Sequence, residues 1–425
     1  MILSLISFFY FQLINVYSQI IFEFEKKYST FNQENFSNYI SENKYISKLI
    51  IGNPKQEIPL SLEFGEFYFY ISHKNTSGIF DEKKSITFKN LSKNYKFANI
   101  KESFVCVDNV YFNNYNNNTL TNKDLKFLFV TNFNNQKLKR ISQIGLTQIV
   151  LYEFNEYNFI YQLQKSKKIN HYSFYYNYIN DSKGKLFIGA LPHEIDRKNY
   201  LENNYLKYKL NLTDKTFLWQ IYFDSINYLD KNFTNQRVIL NTEFQGIIPN
   251  NEVKNLLKKY FFDEYLNNGL CLLLNSSYHS SYSYFVCDTR INIKKFKPFM
   301  FYNKELNYTF NLTYQDVFIK KNNLYYCLIL YEKRNERSSW YIGEIFLKKY
   351  LLVFEQEKGT IGFYHSNKNN SFYFNYDLSL PWVLFFFLFF SMVFLGYLLK
   401  KITMKNKRRI RLNEIEENFE YISKT

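Results

Sequence analysis

Glycine and proline are scarce, at 12 and 6 residues of 425, and histidine, cysteine and methionine number only 5, 4 and 4. With 46% hydrophobic and 22% charged residues, the chain has the balance of a globular protein rather than a disordered one. No short-period repeat is visible. The histidines, His73, His171, His193, His279 and His365, are scattered without the clustering of metal ligands, and each reads as a surface residue. No serine or cysteine stands in a recognisable nucleophile setting. No cofactor is expected. Arg-rich runs and nucleic-acid motifs are missing from the body of the chain, so no nucleic-acid partner is expected. The net charge of +16 is not one patch: residues 400–425 hold eight Lys/Arg against four Asp/Glu and supply +4, leaving +12 spread over the rest. That spread reads as a solvated basic surface, not a dedicated polyanion site.

Asn, Lys, Ile, Tyr and Phe are abundant, with 40 tyrosines and 46 phenylalanines. Such a bias is genome-wide in character, and it drains information from any single aromatic or asparagine. Length alone leaves room for two ordinary domains.

Two apolar segments set an expected topology. Ile2–Val16 carries no charge, and Val16-Tyr17-Ser18 offers the small or β-branched residues a signal peptidase reads, so residues 1–18 are assigned as a signal peptide. The missing basic start leaves an uncleaved anchor as the alternative. Leu380–Leu399 is uncharged, and at about 1.5 Å per residue it spans a bilayer's hydrocarbon core as one transmembrane helix. Lys400, Lys401, Lys405, Lys407, Arg408, Arg409 and Arg411 follow at once, which places them in the cytoplasm by the positive-inside rule and makes the protein single-pass type I. The basic tail is expected to rest on anionic headgroups. The main body is then lumenal or extracellular. Sequons begin at Asn35, Asn75, Asn90, Asn117, Asn180, Asn211, Asn232, Asn275, Asn307, Asn311 and Asn369, all between the two apolar segments, and some are expected to carry glycan. In such a compartment the four cysteines, Cys106, Cys271, Cys287 and Cys327, are able to pair, in any of three connectivities.

Between the segments, short β-branched and aromatic runs alternate with Asn, Lys and Gly clusters and predict an all-β body. Runs of this kind include Lys48–Ile51, Leu60–Leu62, Phe67–Ile71, Phe104–Phe112, Leu125–Val130, Tyr172–Ile179 and Lys185–Ile188, then Phe217–Phe223, Arg237–Leu240, Tyr284–Cys287, Tyr308–Leu312, Leu324–Tyr331 and Leu351–Phe354. Only Val253–Leu266 and Gly343–Tyr350 read as helices.

Several local patterns line up in one order. YISKLIIGNPKQEIPLSLEFG from Tyr45 contains an IGxPxQ turn at Gly52, Pro54 and Gln56. GKLFIGALPHEID follows in the middle, then LWQIYFDSINY from Leu218 and VILNTEFQGIIP from Val238. Last comes Tyr308–Phe363, with Trp340, Gly343, Phe346, Leu347, Phe354, Ile361, Gly362 and Phe363. Over about Tyr45–Tyr364 the chain resembles the pepsin-like aspartic peptidases. The resemblance implies an all-β bilobal fold with few helices around a deep cleft, with a first lobe at 45–198 and a second at 199–365. Residues 19–44 precede the lobes as an N-terminal segment, and 366–379 form a stalk before the membrane helix. It also implies that Cys287 pairs with Cys327.

In that family two aspartates share one proton, one activating water while the other polarises the peptide carbonyl. Each heads an Asp-Thr-Gly triplet whose threonine ties the two loops together and whose glycine allows a tight turn. Here the positions read Glu63-Phe64-Gly65 and Asn241-Thr242-Glu243. Glu63 is one methylene too long, and a misplacement on the order of 1 Å can cost about a hundredfold in rate. Asn241 is neither acid nor base. Gly65 and Thr242 survive, while Phe64 and Glu243 replace the tie and the turn residue. The nearest counterpart of the family's flap tyrosine is Tyr95. The expectation is a catalytically impaired, monomeric membrane protein whose cleft binds a lumenal or extracellular peptide or protein. The alternative is an active membrane-anchored endopeptidase with an atypical Glu/Asn site.

Overall fold

A computed structural model describes residues 19–27, 36–41, 44–73, 80–97, 100–113, 119–133, 141–148, 156–210, 218–242, 244–275, 282–332, 339–364, 400–401 and 403–404. The Ile2–Val16 and Leu380–Leu399 segments lie outside these residues. Among the described residues no helix is long and apolar enough to cross a membrane.

The first half contributes β1 (Ile20–Lys26), β2 (Tyr45–Ile51), β3 (Gln56–Glu63), β4 (Tyr70–Ser72), β5 (Lys89–Phe97), β6 (Ile100–Asn113), β7 (Thr119–Phe133), β8 (Ser142–Gly145), β9 (Ser173–Tyr178), β10 (Lys183–Ile188) and β11 (Tyr205–Lys209). The second contributes β12 (Gln220–Tyr228), β13 (Lys231–Leu240), β14 (Ile247–Ile248), β15 (Cys271–Asn275), β16 (Tyr282–Asp288), β17 (Phe299–Asn303) and β18 (Tyr308–Leu312). It closes with β19 (Phe318–Lys321), β20 (Leu324–Cys327), β21 (Tyr331–Glu332), β22 (Trp340–Ile342), β23 (Leu352–Glu355) and β24 (Thr360–Tyr364). The body is all-β with few helices, as expected from the sequence.

A thirteen-stranded sheet runs β11-β24-β23-β9-β10-β1-β2-β3-β8-β4-β7-β6-β5. The final two strands of the body thus sit inside the sheet of the first half, with Phe354 paired to Phe174. A six-stranded sheet, β14-β22-β13-β12-β17-β18, and a smaller one around β15, β16, β20 and β19 complete the second half.

The IGxPxQ turn shows why its residues are needed. Gly52 sits at φ 85°, in the left-handed region that disfavours a side chain, and the Asn53–Pro54 bond is cis. Gln56 then clamps the incoming chain. Its amide donates to the Asp81 carbonyl at 2.9 Å, and its oxygen accepts from the Asp81 amide at 2.9 Å.

The abundance of aromatics is spent inside. Phe64, Phe174, Trp219 and Phe354 form one cluster, with Phe174 and Phe354 stacked at 5.0 Å and Trp219 against Phe354 at 4.9 Å. Burying a ring of this kind stabilises by roughly 1.5–3 kcal/mol, with about 0.5–1.5 more from edge-to-face pairing.

The Val253–Leu266 helix is present, but as two pieces. Asn251–Leu257 and Asp263–Asn267 flank a π turn at Lys258–Phe262. The wider turn turns consecutive Phe261 and Phe262 both inward, at 5% and 0% exposure. Phe262 stacks on Phe285 at 3.8 Å. The helix expected over Gly343–Tyr350 is Glu344–Lys349, hereafter the closing helix. Leu324–Tyr331, expected as one strand, divides into β20 and β21. Between them the Leu328 amide donates to Val317 and the Leu330 amide to Ile247, so the run leaves β16 to bridge β14 at Ile329 and then rejoins β16 as β21.

The cysteine pairing implied by the resemblance is corrected. Cys271 bonds Cys287, and Cys327 is a buried free thiol, as is Cys106. Register supplies the reason. Cys271 lies directly opposite Cys287 across β15 and β16, with a Cα separation of 4.0 Å. On its other side Cys287 faces Tyr325, so Cys327 is two residues out of step. Burial pushes the thiols of Cys106 and Cys327 up to about 12, which removes them as nucleophiles at neutral pH.

Candidate functional site

Glu63 and Asn241 end matching structures in the two halves. β3 runs parallel to β8, with Leu62 beside Ile144 and Glu63 beside Gly145. β13 runs parallel to β22, with Leu240 beside Ile342, and the Asn241 amide donates to the Ile342 carbonyl at 3.0 Å. After each strand end the chain loops and crosses back. The Gly145 amide donates to Tyr68, five residues past Glu63, at 3.1 Å, and the Gly343 amide donates to Gly246, five past Asn241, at 2.7 Å. Both glycines are required by the crossing. A Cβ on Gly145 would lie 2.5 Å from the Glu66 carbonyl oxygen, and one on Gly343 would lie 2.1 Å from that of Phe244.

Glu63 and Asn241 are both half-buried. The Ser61 hydroxyl donates to Glu63 Oε1. Phe64 is 1% exposed, and its ring turns into the interlobe core, 4.9 Å from Phe354 and 6.1 Å from Phe174. Thr242 is buried. Glu243 lies outside the described residues.

One residue missed at the sequence level stands beside both triplets. Tyr176, on β9, is buried, and its hydroxyl points at the Thr242 side chain while feeling the charge of Glu63. Among the described residues it completes no well-formed hydrogen bond. Burial, then the Glu63 carboxylate, hold its pKa well above the usual value, so it stays a neutral phenol. One tyrosine among 40 carries no signal in the sequence.

A second group was also missed. Glu344, at the start of the closing helix, is completely enclosed and ion-paired to Lys26 of β1. It is also 2.8 Å from Lys348, which in turn reaches Asp181 at 2.8 Å. The Tyr45 hydroxyl donates to Glu344 Oε2 at 2.8 Å and meets the Tyr178 hydroxyl at 2.9 Å. Burial pushes the Glu344 carboxyl up, but Lys26 and Lys348 outweigh burial and hold it down at about 2. Burial lowers Lys26 to about 8 despite its partner. This is a structural charge cluster joining the halves, charge-balanced and hydrogen-bonded as enclosed ions must be.

The remaining candidates are placed as follows. Tyr95 lies on β5, its backbone paired with Ser103 of β6 in a hairpin. His73 pairs with Glu82 at 3.3 Å, His171 with Glu194 at 2.8 Å, and His193 meets the Tyr364 hydroxyl at 2.6 Å. His279 and His365 lie outside the described residues. Of the sequon asparagines, Asn90, Asn180, Asn232, Asn275 and Asn307 are exposed and Asn311 is half-buried; Asn35, Asn75, Asn117, Asn211 and Asn369 lie outside the described residues.

The family model for eukaryotic aspartyl proteases matches residues 44–366. The chain belongs to the eukaryotic aspartyl protease family. No curated protein matches it by sequence. Among solved structures this aspartyl protease relative is similar to the basic 7S globulin from soybean, at 11% identity and a TM-score of 0.58, over 84% of this chain and 100% of that one. It is also similar to conglutin gamma, a basic 7S globulin from lupine seeds, at 10% identity and a TM-score of 0.60, over 82% and 95% of the two chains. At such identities the likeness speaks for the aspartyl protease fold alone.

Proposed function

We propose that this aspartyl protease family member is a non-cutting peptide-binding module. It is held in the membrane by Leu380–Leu399, with its lobes lumenal or extracellular and with glycan on some of its exposed sequons. Its partners are a peptide or protein ligand in the inter-lobe cleft and one membrane, and it acts as a monomer. The observation that carries this reading is the pair of residues at the two matched strand ends. Glu63 and Asn241 occupy symmetrical places, and an amide cannot share a proton with a carboxylate. Phe64 supports it, because the residue following Glu63 is committed to the core and has no hydroxyl with which to tie the loops. A scaffold that keeps its loops and loses its second acid retains backbone donors and apolar walls suited to an extended peptide.

The test is an assay of the purified full-length protein on a denatured protein at about pH 3 to 6, where a shared-proton dyad works. No cleavage is expected. Pepstatin-sensitive cleavage would overturn the reading in favour of an active endopeptidase using Glu63. The triple substitution Glu63→Asp, Asn241→Asp, Glu243→Gly is expected to create cleavage that the parent lacks.

A further inference from the structure

β15 is an outer strand of its sheet and, among the described residues, pairs only with β16. The Asp288 amide donates to the Leu270 carbonyl at 2.8 Å, which makes Leu270 and Asp288 a hydrogen-bonded pair. Hydrogen-bonded and non-hydrogen-bonded pairs alternate along an antiparallel ladder. Cys271, Leu273 and Asn275 therefore face Cys287, Phe285 and Ser283 as non-hydrogen-bonded pairs. Their own N–H and C=O groups point away from β16, along the open edge. The strand reads CLLLN, with Leu272 61% and Leu273 45% exposed. Such an edge is a template for another strand.

The other outer strands each carry a device against pairing. β11 holds Lys207 and Lys209, and β19 holds Lys320 and Lys321. β5 holds Lys89 and breaks its register with β6. β14 is two residues long. On β18 the Tyr350 hydroxyl accepts from the Asn311 amide at 2.7 Å and donates to the Asn311 carbonyl at 3.1 Å, which closes that edge. β15 has no charge, no proline and an unbroken register. What it has is exposed Asn275, the first residue of the sequon Asn275-Ser276-Ser277. Asn275 shares a face with Leu273, two residues and about 7 Å along the strand. Its Oδ1 accepts from the Ser283 hydroxyl at 3.0 Å, which pins the side chain. Nδ2, the atom that takes a glycan, has no partner among the described residues.

We propose that an N-linked glycan on Asn275 caps the β15 edge and keeps the chain from pairing with a second copy through it. This rests on the lumenal or extracellular placement above and names the sequon that matters. In the attachment, Nδ2 bonds to the anomeric carbon of an oligosaccharide delivered as its polyprenyl diphosphate. The carbon–oxygen bond to the diphosphate breaks, the diphosphate leaves with that electron pair, and Nδ2 gives up one proton to solvent. A bulky, hydrated chain then stands beside Leu273, where an incoming strand would lie. Without it the edge is self-complementary. Two copies run antiparallel about Leu273 set Cys271 of one against Asn275 of the other and Leu273 against itself, so the outward backbone groups satisfy one another.

The test produces the full-length protein in a eukaryotic host that attaches N-glycans and purifies it in detergent. Peptide mass spectrometry is expected to find Asn275 occupied, and sedimentation at micromolar concentration to find a monomer. Ser277→Ala removes the sequon and leaves Asn275 in place. It is expected to at least double the sedimenting protein mass and to slow exchange of the Leu273 amide by at least about tenfold. Adding Leu273→Lys should restore the monomer. Thr234→Ala, which removes the sequon at Asn232, should change neither readout. An unoccupied Asn275, or a Ser277→Ala protein that stays monomeric, overturns the proposal. So does association that leaves the Leu273 amide exchanging freely, that Leu273→Lys does not reverse, or that Thr234→Ala also produces. Should Ser277→Ala fail to fold, the folded parent and Leu273→Lys are each deglycosylated with an endoglycosidase, and association of the parent alone upholds the proposal while any other result overturns it. Glycan at other sequons with none at Asn275 sinks this inference alone. Glycan at no sequon sinks the lumenal placement with it.

Discussion

Lys26 and Glu344, 318 residues apart in sequence, form an ion pair in which each side chain is 1% exposed. Removing one partner strands the other in a medium that cannot solvate it. Glu344→Ala is therefore expected to destabilise the protein by about 3–5 kcal/mol at neutral pH. The cost arises largely from Lys26, whose pKa is already lowered to about 8 with its partner present. The stranded lysine gives up its proton at lower pH than in the parent, so the penalty shrinks as pH rises to about 8, where Lys26 of the parent becomes neutral too. Urea melts of parent and variant at neutral and alkaline pH check this.

The acid side of the same pair has the opposite sign. The Glu344 carboxyl is held at about 2 against an ordinary 4.5, so its contribution is complete above pH 4.5 and is lost as pH falls from there towards 2. Glu344→Gln is expected to flatten the pH dependence of stability across that window. A parent-like acid limb in the variant would show that other carboxylates govern acid unfolding.

Tyr176 and Tyr45 are expected to respond oppositely to loss of a hydroxyl. Tyr176 buries an oxygen with no completed hydrogen bond among the described residues, so Tyr176→Phe lies between no change and about 1 kcal/mol of stabilisation. Tyr45 donates to an enclosed carboxylate, so Tyr45→Phe costs about 1.5–3 kcal/mol. Denaturant midpoints at constant slope measure both.

Phe64 is expected to behave as a core residue. Phe64→Ala should cost about 3–5 kcal/mol, and Phe64→Thr no less than about 3, because it opens a cavity and buries a hydroxyl among rings. A threonine there that left stability unchanged would mean that the ring is not engaged with Phe174 and Phe354.

For the cysteines, a non-reducing peptide map is expected to recover Cys271 linked to Cys287. Cys106 and Cys327 should react with iodoacetamide only after denaturation. Closing a 16-residue separation restrains the unfolded chain by about 3 kcal/mol, which the Cys271→Ser, Cys287→Ser variant should lose.

What was legible in the sequence was whatever backbone geometry demands. Gly343 must lack a side chain where Phe244 passes, Gly52 turns left-handed, and Gln56 clamps Asp81, so these residues announce the fold despite the biased composition. The strand ends carrying Glu63 and Asn241 were legible by their place between such markers. Contacts that any of several residues can make were not. Tyr176 looks like every other tyrosine, and the enclosed Lys26–Glu344 pair joins residues that no local pattern connects. The Cys287–Cys327 assignment failed because β15 brings Cys271 into register first, a fact of strand pairing that cysteine spacing does not encode. The Val253–Leu266 helix was visible by its period, but its π turn follows from two adjacent phenylalanines competing for one core.

The placement of β23 and β24 against β9 has a consequence for biogenesis. While the polypeptide is still being made, β9 has a neighbour on one side only, because its other partner is encoded more than 170 residues later. The nascent amino-terminal half therefore emerges with an open ladder, a template for wrong pairing, until residues near 360 leave the ribosome. Completion of the first lobe is a late event, and a chain interrupted before Leu352 is left with an adhesive flank.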